Sequence, residues 1–258
     1  MGILGVGELT EKVVMGVRRS GYTGRILLSP RNRQRAEALA AQWQCEVMAS
    51  NQAVVDGSAL VVLGVRPDAV ALLAKDVRLT TQQTLVSLVA GLKLDTLRRL
   101  FPQPTAVRAM LSYAAQFNQS TVVVTPAGQA HEALLGGLGT LIAVEHEDAF
   151  ELATVAACMN GWFYFFISDL QGWFVDQGLS QAQAAQLVLG NLQDCLASAR
   201  AQPQASLEAL GQAIATPGTF TAAGLEVLNE HAMDLPWRRA CDEVLTRLRE
   251  PKETLPCS

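Results

Sequence analysis

The chain opens Met1-Gly2-Ile3-Leu4-Gly5-Val6-Gly7-Glu8-Leu9-Thr10, and these ten residues decide the fold. An apolar run of strand length ends in Gly5-Val6-Gly7, and a helical pattern begins directly behind it. In that context glycines form a tight strand-to-helix turn whose free N–H groups and helix dipole face a pyrophosphate. Gly5, Gly7, Glu8 and Leu9 are therefore read as cofactor-binding positions. Two residues depart from the pattern. Thr10 stands where a third glycine is expected, and Glu8 brings a carboxylate that repels phosphate unless it points away. A structural turn in an α/β protein that binds no nucleotide is the alternative reading.

Working outward, short apolar runs at 2–6, 25–29, 60–65, 84–88, 106–110, 121–125 and 141–145 alternate with helical patterns such as 11–20 and 33–42. Alternation of this kind predicts βαβ units and a parallel sheet of about seven or eight strands, covered on both faces. From residue 148 onward, Ala-, Leu- and Gln-rich segments with helical periodicity replace the strand-like runs. Helices are expected at 148–176, 180–201, 206–213, 220–229 and 236–249, with Ser180 as an N-cap, and the tail 250–258 is expected to fray. The expected fold is α/β: a Rossmann-like doubly wound sheet over 1–147, then an all-α domain over 148–258.

The second strand runs into Ser29-Pro30-Arg31-Asn32-Arg33. An acidic residue at this place would bind a free ribose 2′-hydroxyl, whereas a hydroxyl and guanidinium groups suit a 2′-phosphate. Ser29, Arg31 and Asn32 are thus assigned to the cofactor, and NADP is favoured with NAD as the second choice. A solvated helix start with unrelated arginines is the other reading. Val65-Arg66-Pro67 and Ala90-Gly91 follow the next two strands, at the sheet edge where such folds bind ligands, and join the cofactor set.

Composition narrows the partners. The 258 residues are 50% apolar and 17% charged, with a net charge of -4, so there is no broad positive field for nucleic acid or anionic membrane. The longest apolar stretches, 59–65 and 162–167, fall far short of the ~20 residues a bilayer requires, and no membrane span is expected. The opening lacks a basic segment followed by a removable apolar one, so a cytoplasmic location is expected. Five scattered cysteines without a CxxC pair and three unclustered histidines predict neither a disulfide framework nor a metal site.

Gly5 and Gly7, Val65-Arg66-Pro67, Ala90-Gly91, Arg108-Ala109-Met110 and Thr216-Pro217-Gly218-Thr219-Phe220-Thr221 stand in an order and spacing that resembles the pyrroline-5-carboxylate reductase family. The likeness covers nearly the whole chain. It implies a Rossmann-like domain followed by a helical dimerisation domain, giving a homodimer or higher homo-oligomer through the C-terminal helices. It also implies hydride transfer from NAD(P)H to a cyclic imine, pyrroline-5-carboxylate or a related one, at a site where two subunits meet. Thr221 then matches the residue that hydrogen-bonds the imine nitrogen, with Ser112, Tyr113, Asn160, Gly161, Thr216 and Gly218 as substrate contacts. Taken on its residues alone, Thr216-Pro217-Gly218 is a turn or helix start that capping explains equally well.

The chain departs from that family at two places. Met110-Leu111-Ser112-Tyr113-Ala114 replaces Met-Pro-Asn-Thr-Pro, and Cys158-Met159-Asn160-Gly161-Trp162-Phe163 replaces a Ser-Gly-Ser-Gly-Pro-Ala loop, of which only Gly161 survives. Bulky Met159 and Trp162 favour a larger or more apolar substrate. Trp162, Phe165, Phe166, Trp173 and Phe174 fall at helical spacing, where an interface role is preferred to a site role. Cys158, with no histidine near it in sequence, is read as structural. Two further readings stay open: a reductase of a different small imine or carbonyl compound, and a catalytically impaired nucleotide-binding homologue with a sensing or scaffold role.

Overall fold

The computed structural model describes residues 1–250; the end of the tail expected to fray, 251–258, lies outside the described residues. Fourteen elements build the first half: β1 (Gly2–Leu4), α1 (Glu8–Arg19), β2 (Leu27–Leu28), α2 (Arg33–Trp43), β3 (Glu46–Val47), α3 (Asn51–Asp56), β4 (Leu60–Leu63), α4 (Val70–Asp76), β5 (Thr84–Ser87), α5 (Leu94–Leu100), β6 (Thr105–Met110), β7 (Ser120–Thr125), α6 (Gln129–Leu135) and β8 (Gly139–Ala143). They form one eight-stranded sheet in the order β3-β2-β1-β4-β5-β6-β7-β8. The first six strands are parallel and follow the 3-2-1-4-5-6 order of the doubly wound dinucleotide-binding fold.

Strand side chains alternate between two cores. Ile3, Leu28, Val62, Val86 and Val107 pack on one face with Val13, Val14 and Val17 of α1. Leu4, Leu27, Val61, Leu63 and Leu85 pack on the other with Leu73 of α4 and Leu97 of α5. A period of two with both faces buried explains the nearly continuous apolar runs in the sequence.

The expectation of a parallel sheet needs correction at its far edge, because β7 runs antiparallel to β6, while β8 is parallel to β7. Only residues 111–119 join β6 to β7, too few for a crossover, so the chain must turn back. That connection holds a 3-10 turn (Tyr113–Phe117) packed against α1, where a Cβ on Gly16 would lie 2.0 Å from the Ala115 carbonyl oxygen. Glycine at position 16 is what allows the approach. Strand β3 was not expected: two residues carry no periodicity, and exposed Glu46 spends its charge on Arg25 of the neighbouring strand's approach, 2.7 Å away.

The chain divides into two compact units, Met1–Ala157 and Cys158–Ser258. The remaining helices are α7 (Glu147–Asp176), α8 (Gln181–Ala201), α9 (Leu207–Ile214), α10 (Phe220–Glu230) and α11 (Asp234–Arg249), each within two residues of its expected start. Ser180, Ser206 and Thr219 cap α8, α9 and α10 by accepting a backbone N–H.

Helix α7 is longer and more apolar than the sequence runs suggested: by length and composition alone it could cross a membrane, and 17% of its most apolar stretch is buried. Single polar residues such as Asn160, Ser168 and Asp169 break its apolar runs, which is why none looked long enough. Among the described residues of the second unit, Ala184 and Val188 are the buried apolar ones, while Phe165, Trp173, Leu189 and Leu196 are exposed.

Candidate functional site

The turn between β1 and α1 is built as the opening glycines require. Gly5 has φ +95°, and a Cβ there would sit 2.6 Å from Val65 Cγ1 and 2.9 Å from the Gly64 backbone. Backbone strain and lack of room both exclude a side chain. Around Gly7 the situation is the reverse, since a Cβ would meet nothing nearer than the Gly64 oxygen at 3.9 Å. The chain's own packing does not demand glycine at position 7, and the N-terminus of α1 behind it is left open. A helix start leaves its first N–H groups, here those of Glu8, Leu9 and Thr10, without intrahelical partners.

Thr10 is the keystone of the turn. Its buried hydroxyl accepts from the Gly7 N–H at 2.8 Å and donates to the Gly5 carbonyl at 2.9 Å. Its methyl group fills the space beside Gly64, where a Cβ would lie 2.1 Å from Thr10 Cγ2. The close helix-to-strand packing that a third glycine provides is obtained here by placing the glycine at the end of β4. Ser29 secures the turn from the next strand, its oxygen accepting the Gly5 N–H at 2.9 Å, and Asn32 Nδ2 donates to the Val6 carbonyl at 3.2 Å.

The residues assigned to the cofactor gather along one edge, at the carboxyl ends of β1, β2, β4 and β5. Gly5, Ser29, Arg31, Asn51, Val65 and Leu72 line a pocket of about 320 Å³ there. Arg66 and Pro67 open the 3-10 turn after β4, and Ala90 and Gly91 follow β5, Gly91 with φ +69°. The two arginines after β2 differ in their circumstances. Arg31 reaches the pocket, whereas Arg33 is bound to Glu37 at 2.7 Å and borders a separate pocket with Pro30, Val47 and Met48.

Ser112 caps the 3-10 turn after β6, its oxygen accepting from the Ala114 N–H at 3.3 Å. Tyr113, half exposed beside α1, has its phenol pKa pushed up, first by burial and then by the Glu8 carboxylate next to it. The carboxylate that looked out of place in a phosphate turn thus has a phenol as its neighbour.

In the second unit, Asn160 and Gly161 lie in the interior of α7, where backbone N–H groups are spent on the helical ladder. Thr216 to Gly218 form a tight turn, with Gly218 at φ +86° and the Thr216 carbonyl accepting from both the N–H and the hydroxyl of Thr219. Thr221 is the second residue of α10 and is exposed.

One cluster escaped the sequence reading. Arg108, 1% exposed in the middle of β6, donates to Glu147 at 2.8 Å and Glu151 at 2.7 Å, with its guanidinium stacked 4.3 Å from the Phe150 ring centroid. Glu147 also accepts the Leu94 N–H at the start of α5. A lone arginine in a buried strand, with carboxylates four residues apart on a later helix, was the available signal.

A strand order of 3-2-1-4-5-6 with a glycine turn at the first crossover places the protein in the class of NAD(P)-dependent oxidoreductases. Residues 1–91 match the family described as NADP oxidoreductase, coenzyme F420-dependent, and residues 147–251 match pyrroline-5-carboxylate reductase dimerisation. The chain is 27% identical to the pyrroline-5-carboxylate reductase of Pisum sativum, covering 89% of this chain and 88% of the relative. It is 25% identical to pyrroline-5-carboxylate reductase 2 of Bacillus subtilis, covering 98% and 95%. In fold it is similar to the NADP-bound pyrroline carboxylate reductase of Plasmodium falciparum, with a TM-score of 0.85 and 17% identity over 96% of each chain. The 1-pyrroline-5-carboxylate reductase of Streptococcus pyogenes gives a TM-score of 0.82 and 24% identity over 96% of this chain and 97% of that one. Across nearly its whole length the chain is thus similar to pyrroline-5-carboxylate reductases, with an NADP oxidoreductase match in the first part and a pyrroline-5-carboxylate reductase dimerisation match in the second.

Proposed function

We propose that the chain is a cytoplasmic NADP-dependent reductase of a cyclic imine, pyrroline-5-carboxylate or a related ring. The observation that carries the proposal is the β1–α1 turn: an obligatory glycine at position 5, an unobstructed one at position 7 and a helix N-terminus open beyond it. This donor set fits a dinucleotide pyrophosphate. Glu8 and Leu9 hold it by their backbone N–H groups, Gly5 and Gly7 shape the turn and give it room to approach while their own N–H groups are held by Ser29 and Thr10, and Arg31 takes the 2′-phosphate. Ser29 and Asn32 keep the turn and its neighbouring loop in place, and Val65, Arg66, Pro67, Ala90 and Gly91 continue the cofactor cleft. When bound, the dihydronicotinamide supplies hydride.

Residues 1–147 thus serve the cofactor, and residues 148–258 serve dimerisation and substrate. A second copy of the chain is expected to cover the apolar surface that the helical unit leaves exposed. Thr221 donates a hydrogen bond to the imine nitrogen, where negative charge must be relieved as hydride arrives at carbon. The side chains of Ser112, Tyr113, Asn160 and Thr216 contribute polar surface around the ring, and Gly161 and Gly218 leave room for it. The described cysteines are free thiols, in keeping with a reducing compartment.

A second reading, reduction of a different small imine, is favoured by the helical state of residues 158–163, whose backbone N–H groups are not free to cradle a carboxylate. NADPH oxidation with a panel of cyclic imines tests both readings together. Replacing Thr221 by Ala is expected to lower turnover about tenfold or more, with NADPH affinity unchanged; unchanged turnover removes Thr221 from the mechanism.

A further inference from the structure

Glu8 is the first residue of α1, so its carboxylate stands beside the backbone N–H groups of Glu8 and Leu9 that the helix start leaves open toward the phosphates. A pyrophosphate drawn to those donors meets a like charge at close range, and the repulsion has to be relieved. Two cations that reach this end of α1, Lys12 and Arg35, are held by Glu11 at 3.4 Å and 3.3 Å. Among the described residues Glu8 takes part in no ion pair.

One neutral donor is brought to it. The 3-10 turn Tyr113–Phe117 is fastened along α1: the Ala115 carbonyl lies against Gly16, Asn118 Nδ2 donates to the Gly16 carbonyl at 2.8 Å, and Arg19 donates to the Gln116 carbonyl. Ser112 fixes the entry to the turn, its N–H donating to Ser120 Oγ at 2.9 Å. Ala115 meets α1 at Gly16 and Gln116 meets it at Arg19, so turn and helix run the same way. Tyr113, at the head of the turn, is thereby carried toward the start of α1, where its phenol neighbours Glu8. Burial first, and then Glu8 itself, push the phenol pKa up, so the hydroxyl keeps its proton and remains a donor at neutral pH.

We propose that Tyr113 is a positioning residue for the dinucleotide: its hydroxyl donates to the Glu8 carboxylate and holds it out of the path of the pyrophosphate, leaving the N–H groups of Glu8 and Leu9 free to bind. The proposal rests on the reading of the β1–α1 turn as a dinucleotide site. Glu8 in the glycine turn and Tyr113 after β6, two departures from pattern that are far apart in sequence, then act as one unit. A hydrogen bond to a carboxylate is stronger than one between neutral groups, which suits a donor that must restrain a charged side chain.

The test is a double-mutant cycle on the full-length protein, with NADPH affinity read by nucleotide fluorescence in the wild type, Tyr113→Phe, Glu8→Gln and the double variant. Tyr113→Phe is expected to weaken NADPH about fivefold, Glu8→Gln to tighten it about twofold, and the double variant to match Glu8→Gln. Adenosine 2′-monophosphate, which lacks the pyrophosphate, is expected to compete equally well in all four. Both side chains are exposed and both substitutions nearly preserve their size, so the circular dichroism spectrum is expected to stay the same. An equal loss from Tyr113→Phe in both backgrounds is what a merely structural tyrosine would give, and it overturns the proposal. So does an unaffected Tyr113→Phe variant, or one that also weakens adenosine 2′-monophosphate. A wild-type protein that binds neither NADPH nor adenosine 2′-monophosphate overturns the cofactor reading, and this proposal with it.

Discussion

Thr10 supplies with one side chain what the dinucleotide pattern obtains from an absent one. The hydroxyl ties Gly7 to Gly5, and the methyl group occupies the room that Gly64 vacates. Gly64→Ala is therefore expected to cost about 1–3 kcal/mol of stability through overpacking against a stiff β-branched side chain. In a Thr10→Ser background, which keeps the hydroxyl and removes the methyl group, the same substitution is expected to cost less than half as much. Urea denaturation at fixed protein concentration measures the cycle, and strict additivity would show that the two residues do not share the space. The opening glycines were legible in the sequence because backbone demands restrict the residue type. The destinations of the hydroxyls were not: Ser29 and Thr10 both read as polar residues near phosphate, and both turn out to accept backbone N–H groups of the turn itself. Arg31 and Arg33 look equivalent in sequence, and only the structure shows Glu37 holding the second.

Among elements, α7 begins under the sheet. Arg108 reaches from β6 to Glu147 and Glu151, one turn apart on α7, and Glu147 reaches on to the N-terminus of α5. Arg108→Leu would leave Glu151 buried without a counter-charge, at an expected cost of about 3–5 kcal/mol. Glu147→Gln is expected to cost markedly less, because Glu147 is 28% exposed and can be solvated. Thermal unfolding of the two variants checks the ranking, and equal losses would contradict it. Helices were legible because periodicity and caps such as Ser180 with Gln183 act locally. The reversal at β7 was not, since strand direction depends on connection length and on the pairing partner rather than on the strand's own residues. The segment 158–163, compared in sequence with a Ser-Gly-Ser-Gly-Pro-Ala loop, lies inside the helix α7 instead.

For the whole molecule, the distribution of buried surface is lopsided. The sheet unit holds two closed cores, whereas the helical unit leaves most of its large apolar side chains exposed, Phe220 among them at 99%. If a second copy covers that surface, folding and association are linked, and the melting temperature is expected to rise with protein concentration. A melting temperature independent of concentration, with a monomer by size-exclusion chromatography, would contradict a dimer. The sequence shows a change from alternating strands to helical segments near residue 148 and the dimerisation match begins at residue 147, whereas the compact units part between Ala157 and Cys158, inside α7. The assembly that completes the helical unit was not visible in the sequence, because subunit contacts leave the same apolar periodicity as a core.

The central claim, that the β1–α1 turn holds a phosphorylated dinucleotide, is tested most directly by titrating the protein with NADPH and NADH and following nucleotide fluorescence. Tighter binding of NADPH is predicted, together with a loss of roughly tenfold in NADPH affinity and little change for NADH in Arg31→Ala. Failure to bind either nucleotide would contradict the account at its foundation.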